Sequence, residues 1–317
     1  MSINKKLLLI LMLLLVLIVG SAQLIKRSNK YQTQEVQKNN ATASQANNTG
    51  LPYTYLNNII AQSGAACSVY YKSLSGNEVF YNYSGKMPAA GIERVFILAQ
   101  ALEEVEKGSL KLEETYTLEK NQIAPHSPAL KDERAGAKIP LATLLEKMVT
   151  VNDDTAANMV IDILGREEIN AFLQKHGYVD TSLPFEEEKA NDKLDNDNKV
   201  YDAAAVTSVN DLVNFYAQVY QKKCVSPQVD AQVLTILKLQ RDNSKLKALL
   251  PKGTAVAHQS GDLSGVQNDG GIVYSKDPYV LVIMTDKSVH QGQTLKTINQ
   301  ISSVIYNSVA DKEVFKK

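Results

Sequence analysis

Four short stretches of the sequence carry polar side chains at spacings that could support nucleophilic or general-base chemistry, and three of them lack a part that such chemistry needs. Residues 87–99, MPAAGIERVFILA, read as a turn feeding an amphipathic helix. A hydroxyl nucleophile at a helix start and a base three residues on would emerge on one face, within reach of each other. Gly91 and Arg94 have that spacing, but glycine has no nucleophile and a guanidinium does not deprotonate at working pH. Residues 151–158, VNDDTAAN, place the amide of Asn152, which does not relay protons as a hydroxyl can, beside Asp153 and Asp154. Asp153 is placed to cap the helix that follows. Residues 256–262, VAHQSGD, offer the Ser260 hydroxyl between an uncharged Gln259 and Gly261, where a bare backbone allows close approach. The fourth stretch is acidic, with Glu186, Glu187 and Glu188 in a row and Asn191 beyond them.

The histidines, at 126, 176, 258 and 290, show none of the spacing that zinc needs, so neither a metal nor another cofactor is implied. His258 reads as a strand residue packed beside the site, because no carboxylate or nucleophile at helical or strand spacing points to it.

Together these stretches resemble the class A β-lactamase and penicillin-binding family. Gly91 and Arg94 stand where its S-x-x-K start has serine and lysine. Asn152 and Asp154 stand where an S-D-N run has serine and asparagine. Gln259, Ser260 and Gly261 match its K-T-G strand, and 268–274, NDGGIVY, match the neighbouring strand. The resemblance implies that Glu187 is the glutamate that activates a deacylating water and Asn191 the asparagine four residues later. A slip of one residue within the acidic run fits equally well, and Phe185 stands where an arginine usually precedes; the other reading of this run is a solvated loop. In the family the lysine and asparagine hydrogen-bond each other, so Arg94 and Asp154 are expected to form a bidentate ion pair. Losing lysine at 259 removes the cation that attracts a substrate carboxylate.

The elements that must hold these residues follow from periodicity. Leu56, Ile59 and Ile60 give a helix over 52–63, and 67–74 and 78–83 read as a strand pair. Helices are expected from Gly91 to about 107, then over 141–149, 155–164, 167–175 and 209–221, the last introduced by Ser208 with Asp211 three residues on. Further helical patterns cover 230–239 and 244–250. Residues 255–259, 271–274 and 279–285 then read as strands, and 294–310 as a closing helix. This order of elements resembles the fold of the same family, and the resemblance implies the class α/β (α+β): a five-stranded antiparallel sheet flanked by helices, from 51–91 and 251–317, with an all-helical domain from 92–250.

Ahead of this lie Lys5 and Lys6, an apolar run over 7–19, and Gly20-Ser21-Ala22, which reads over 1–27 as a signal peptide or signal anchor. Residues 28–50 are rich in Asn, Gln, Ser and Thr and poor in large apolar side chains, the composition of a flexible tether. With 34 basic and 34 acidic residues in 317, the chain has no net field to attract nucleic acid. Cys67 and Cys224 could pair outside the cell or simply fill two core positions.

Four losses at convergent positions lead to an exported, catalytically inactive protein of β-lactamase-like fold, with a binding or scaffolding role at the cell envelope. One alternative is a hydrolase of β-lactams or peptidoglycan peptides, working through Glu187 and a water or through Ser260. Another is a ligand-binding module for cell-wall fragments. The implied partners are therefore peptidoglycan fragments, β-lactams or an envelope protein, and the membrane if the N-terminal segment is uncleaved.

Overall fold

The computed structural model describes residues 51–82, 85–124, 127–184 and 204–310. Glu187, Asn191 and His126 lie outside the described residues, as do the N-terminal segment and the tether. The elements run in the order α1 (Tyr53–Ala61), β1 (Ala66–Ser73), β2 (Val79–Asn82), β3 (Met87–Pro88), α2 (Arg94–Glu106), β4 (Thr115–Thr117), β5 (Lys138–Pro140), α3 (Leu141–Thr150) and α4 (Asp154–Leu164). They continue with α5 (Arg166–Lys175), β6 (Val206–Thr207), α6 (Val209–Tyr220), α7 (Pro227–Leu237), β7 (Ala255–Leu263), β8 (Val266–Tyr274), β9 (Tyr279–Asp286) and α8 (Gln291–Ala310).

A five-stranded antiparallel sheet in the order β2-β1-β9-β8-β7 joins the two ends of the sequence. Its central strand, β9, is buried from Tyr279 to Thr285, and alternate side chains serve different cores. Val280, Val282 and Met284 join a core shared with α2, α3, α4 and α6, whereas Tyr279, Leu281 and Ile283 join one shared with α1 and α8. A strand covered on both faces reads as one apolar run, which is why 279–285 stands out in the sequence. The other core fills from the spacing of Ile298, Ile301, Ile305 and Val309 along α8.

Several expected elements differ. Helix α2 begins at Arg94, because Gly91 takes a φ of +97° that no α-helix contains and 89–94 close as turns instead. Residues 244–250 form turns, not a helix: Lys245 is drawn to Asp242 and Asp262, and the Leu246 N–H donates to Asp269. The stretch 92–250 is not wholly helical, since β4 pairs with β5 and β6 pairs with β3. Strands of two or three residues are too short to carry a period. Strands β7 and β8 are longer than expected and form a continuous hairpin, closed at Leu263 and Val266 around a Gly265 of φ +77°.

Both cysteines are free and buried, Cys67 on β1 and Cys224 beyond α6. Burial pushes each thiol up to about 12, which keeps both in the unreactive protonated form.

Candidate functional site

The stretches singled out in the sequence meet where the turn before α2, the α3–α4 junction and the edge strand β7 converge. Asp153 caps α4 by accepting the Ala156 N–H at 2.9 Å, and its other oxygen accepts the N–H groups of Ala129 and Leu130, each at 2.8 Å. This fixes the α3–α4 junction and presents Asn152, held at φ +56°, and Asp154 towards α2 and β7. From β7, Gly261 lies so close to the turn that a Cβ there would fall 2.5 Å from the Ala90 carbonyl oxygen. Only glycine permits that approach.

Arg94 and Asp154 touch. The guanidinium Nη2 donates to Asp154 Oδ1 at 2.6 Å, with the arginine side chain 3% exposed and the aspartate 27%. A base and an amide in the resembled family have become an ion pair here, and the guanidinium cannot take up a hydroxyl proton as a lysine amine can.

Beside the pair lies a ladder of amides. Gln259 Nε2 donates to Asn152 Oδ1 at 2.7 Å and to the Gly91 carbonyl at 3.2 Å. Asn152 Nδ2 donates in turn to Ser260 Oγ at 2.9 Å. Gln240, from the segment after α7, adds Nε2 contacts to Val149 O at 2.6 Å, Asn152 Oδ1 at 3.2 Å and Gln259 Oε1 at 3.3 Å. Gln240, Gln259 and Ser260 are all buried. A ligand entering this space must break several of these bonds and leave amides unsatisfied, each at a cost of about 1–3 kcal/mol.

Acyl transfer also needs backbone N–H groups directed at the developing oxyanion. Around this corner the N–H groups of Gly91 and Asp262 are both occupied. Gly91 donates to the buried carboxylate of Glu93 at 2.9 Å, and Asp262 donates to the Ala90 carbonyl at 3.0 Å. Ser260 is in no better position to act, because its hydroxyl faces the Asn152 amide, which cannot accept a proton.

Behind β7, His258 Nδ1 lies 2.9 Å from Asp269 Oδ1, and both side chains are fully buried. This corrects the expectation that no carboxylate points to His258: Asp269 reaches it diagonally from β8, two residues from the paired Gly271. The histidine's Nε2 has no hydrogen-bond partner among the described residues, so no relay links it to Ser260. Tyr216 of α6 lies near the same carboxylate, and burial together with Asp269 raises its phenol well above the ordinary range. Lys245 sits at the rim, 2% exposed, with its ammonium 2.6 Å from Asp262 and 2.9 Å from Asp242. Burial alone would raise the Asp242 carboxyl, but Lys245 and Ser244 outweigh it and hold that group well below the usual carboxylate range.

Glu93, Gln240, Lys245 and Asp269 were not legible as site residues. Glu93 is the residue before Arg94 on the helix-forming stretch, and its contact with the Gly91 N–H goes with the positive φ of Gly91, which spacing does not announce.

A family model described as the β-lactamase enzyme family matches residues 51–309, nearly all of the described chain. The chain belongs to that family. Among curated β-lactamases it is similar to AER-1 of Aeromonas hydrophila, 25% identical over 240 residues that cover 73% of this chain and 77% of the relative. It is also similar to CARB-4 of Pseudomonas aeruginosa, 23% identical over 221 residues, or 69% and 73% of the two chains. Among solved structures, PBP-A superposes with a TM-score of 0.73 at 24% identity, covering 81% of this chain and 95% of PBP-A. A PBP-A variant solved as an acyl-enzyme complex with penicillin G gives 0.72 with the same identity and coverage. At these identities the superpositions establish the β-lactamase fold. The side chains at the corner of this family member then distinguish it from what the family resemblance implies.

Proposed function

We propose that this chain is an exported β-lactamase-family protein that makes no acyl-enzyme and acts by binding or scaffolding at the cell envelope. The observation that carries this reading is the Gly91 corner: a residue without a hydroxyl, at φ +97°, whose N–H is held by Glu93. The Arg94–Asp154 pair supports it by removing the base, and Gln259 by removing the cation that would draw in a carboxylate. Export rests on the sequence of residues 1–27. Among the described residues, no helix is long and apolar enough to cross a membrane.

A hydrolase without the usual serine would need a nucleophile beside a base, and Ser260 has Asn152 in that place. A module that captures cell-wall fragments in the old cleft would have to displace the amide ladder, whose members already satisfy one another. Thermal denaturation of the full chain with peptidoglycan stem peptides, penicillin or buffer alone tests the cleft directly. We expect the same midpoint in all three, because a ligand raises it only by binding the folded state. At a concentration 100 times its Kd a bound fragment would add about 2.7 kcal/mol of stability, and a midpoint rise of that kind would transfer the function to the cleft.

A further inference from the structure

We propose that the folded domain carries a docking face for anionic phospholipid, formed by 238–254 beside α8. This face adjoins the cleft, since Gln240 of the amide ladder and Lys245 belong to the same segment, but the side chains it offers to lipid take no part in the ladder. The chain as a whole has no net charge, yet no Asp or Glu occurs over 243–261 or along α8 at 291–310. Cations gather in the same region. Lys247 and Lys252 line a cavity of about 490 Å³ together with Asn243, Leu250, Pro251 and Thr254. Lys238 approaches from the end of α7, its ammonium 4.5 Å from the centre of the Tyr274 ring, and Tyr274 pairs across the sheet with Ala255, next to Thr254. Asp242 and Asp262 share the one ammonium of the buried Lys245, so this cluster leaves a single negative charge beside the several lysines of the face.

Apolar side chains project among these cations. Leu249 is 57% exposed and Leu239, beside Lys238, 55%. Lysines around protruding leucines suit a bilayer surface, where the ammonium groups meet lipid phosphates and the leucines enter the acyl boundary. The segment is held firmly for this: Lys245 bridges to Asp262, the Leu246 N–H donates to Asp269, and the Leu246 carbonyl accepts from Ser302 of α8 at 2.7 Å. The chain enters the fold in the same layer. Leu51 and α1 share a core with Leu246 and α8, and Tyr53 and Leu250 pack against it.

The sequence contains no tryptophan, so a single Leu249→Trp substitution gives a unique fluorescent reporter. The full chain with this substitution is reconstituted in vesicles of phosphatidylcholine alone or mixed with phosphatidylglycerol, with and without brominated acyl chains. We expect emission at shorter wavelength and quenching by the brominated chains only where phosphatidylglycerol is present. Adding Lys247→Glu and Lys252→Glu should reverse both effects, since losing each lysine lowers the docked-to-undocked ratio roughly fivefold, before the added negative charge. A Val179→Trp reporter, on an exposed residue beyond α5, should stay unshifted in every vesicle. Three results would overturn the proposal: a Leu249 reporter indifferent to phosphatidylglycerol, an equal shift at Val179, or a shift without vesicles, which would assign the face to a second copy of the chain.

Discussion

Returning the family side chains at four positions, Gly91→Ser, Arg94→Lys, Asn152→Ser and Gln259→Lys, is expected to give a protein that reacts with penicillin only slowly until Glu93→Ala is added. The four changes restore a nucleophile, a base, a proton relay and a cation, but they leave the Gly91-position N–H donating to Glu93. An oxyanion formed there would lack one of its donors, and losing one such donor costs about 10²–10³ in rate. Adding Glu93→Ala should therefore raise the labelling rate of the fourfold variant by about that factor. Space is available for the serine, since a Cβ at 91 would meet the Arg94 guanidinium at 3.5 Å, an ordinary contact. The backbone is less accommodating: at φ +97° a side chain costs about 1–2 kcal/mol, so both variants should melt below the wild type. Stopped-flow labelling with a fluorescent penicillin reads the rates. Equal rates with and without Glu93 would show that its carboxylate does not obstruct the corner.

The Arg94–Asp154 pair should give the largest change in stability. Arg94 is 3% exposed, so Asp154→Asn takes the opposing charge from a cation in a nearly dry site, while Arg94→Ala leaves the carboxylate facing a cavity. Breaking a buried pair from one side costs about 3–5 kcal/mol; the 27% exposure of Asp154 places Arg94→Ala near the lower figure. In a cycle of Arg94→Ala, Asp154→Asn and the double variant, urea denaturation should give a coupling of about 2–3 kcal/mol, the upper part of the range for touching side chains. Additive losses would mean that the two residues contribute independently and that the pair does not define the corner.

Much of this was legible in the sequence, for identifiable reasons. The helix faces of α3 and α8 follow from apolar residues at 141, 144, 145 and 148 and at 298, 301, 305 and 309, because burial on one side imposes a helical period. Asp153 and Ser208 announce their helices because a cap is a local contact, and each accepts the expected N–H. Gly91, Arg94, Asn152 and Gln259 were found as substitutions within motifs whose spacing is intact. The missed contacts depend on geometry that spacing does not encode. Asp269 meets His258 only through the register of the β7–β8 hairpin. Gln240 enters the amide ladder because 244–250 folds as turns where a helical pattern is written, and Lys245 is buried for the same reason. The β3–β6 and β4–β5 ladders join short segments far apart in the chain, where neither partner shows a period of its own.

The most direct test of the central claim is the intact mass of the wild-type protein after prolonged incubation with penicillin. We predict an unchanged mass, since no hydroxyl at the corner stands beside a base and both backbone donors are occupied. An added mass equal to one penicillin, mapped by peptide digestion to Ser260, would contradict that account and identify this family member as an acyl-transfer enzyme built on a different serine.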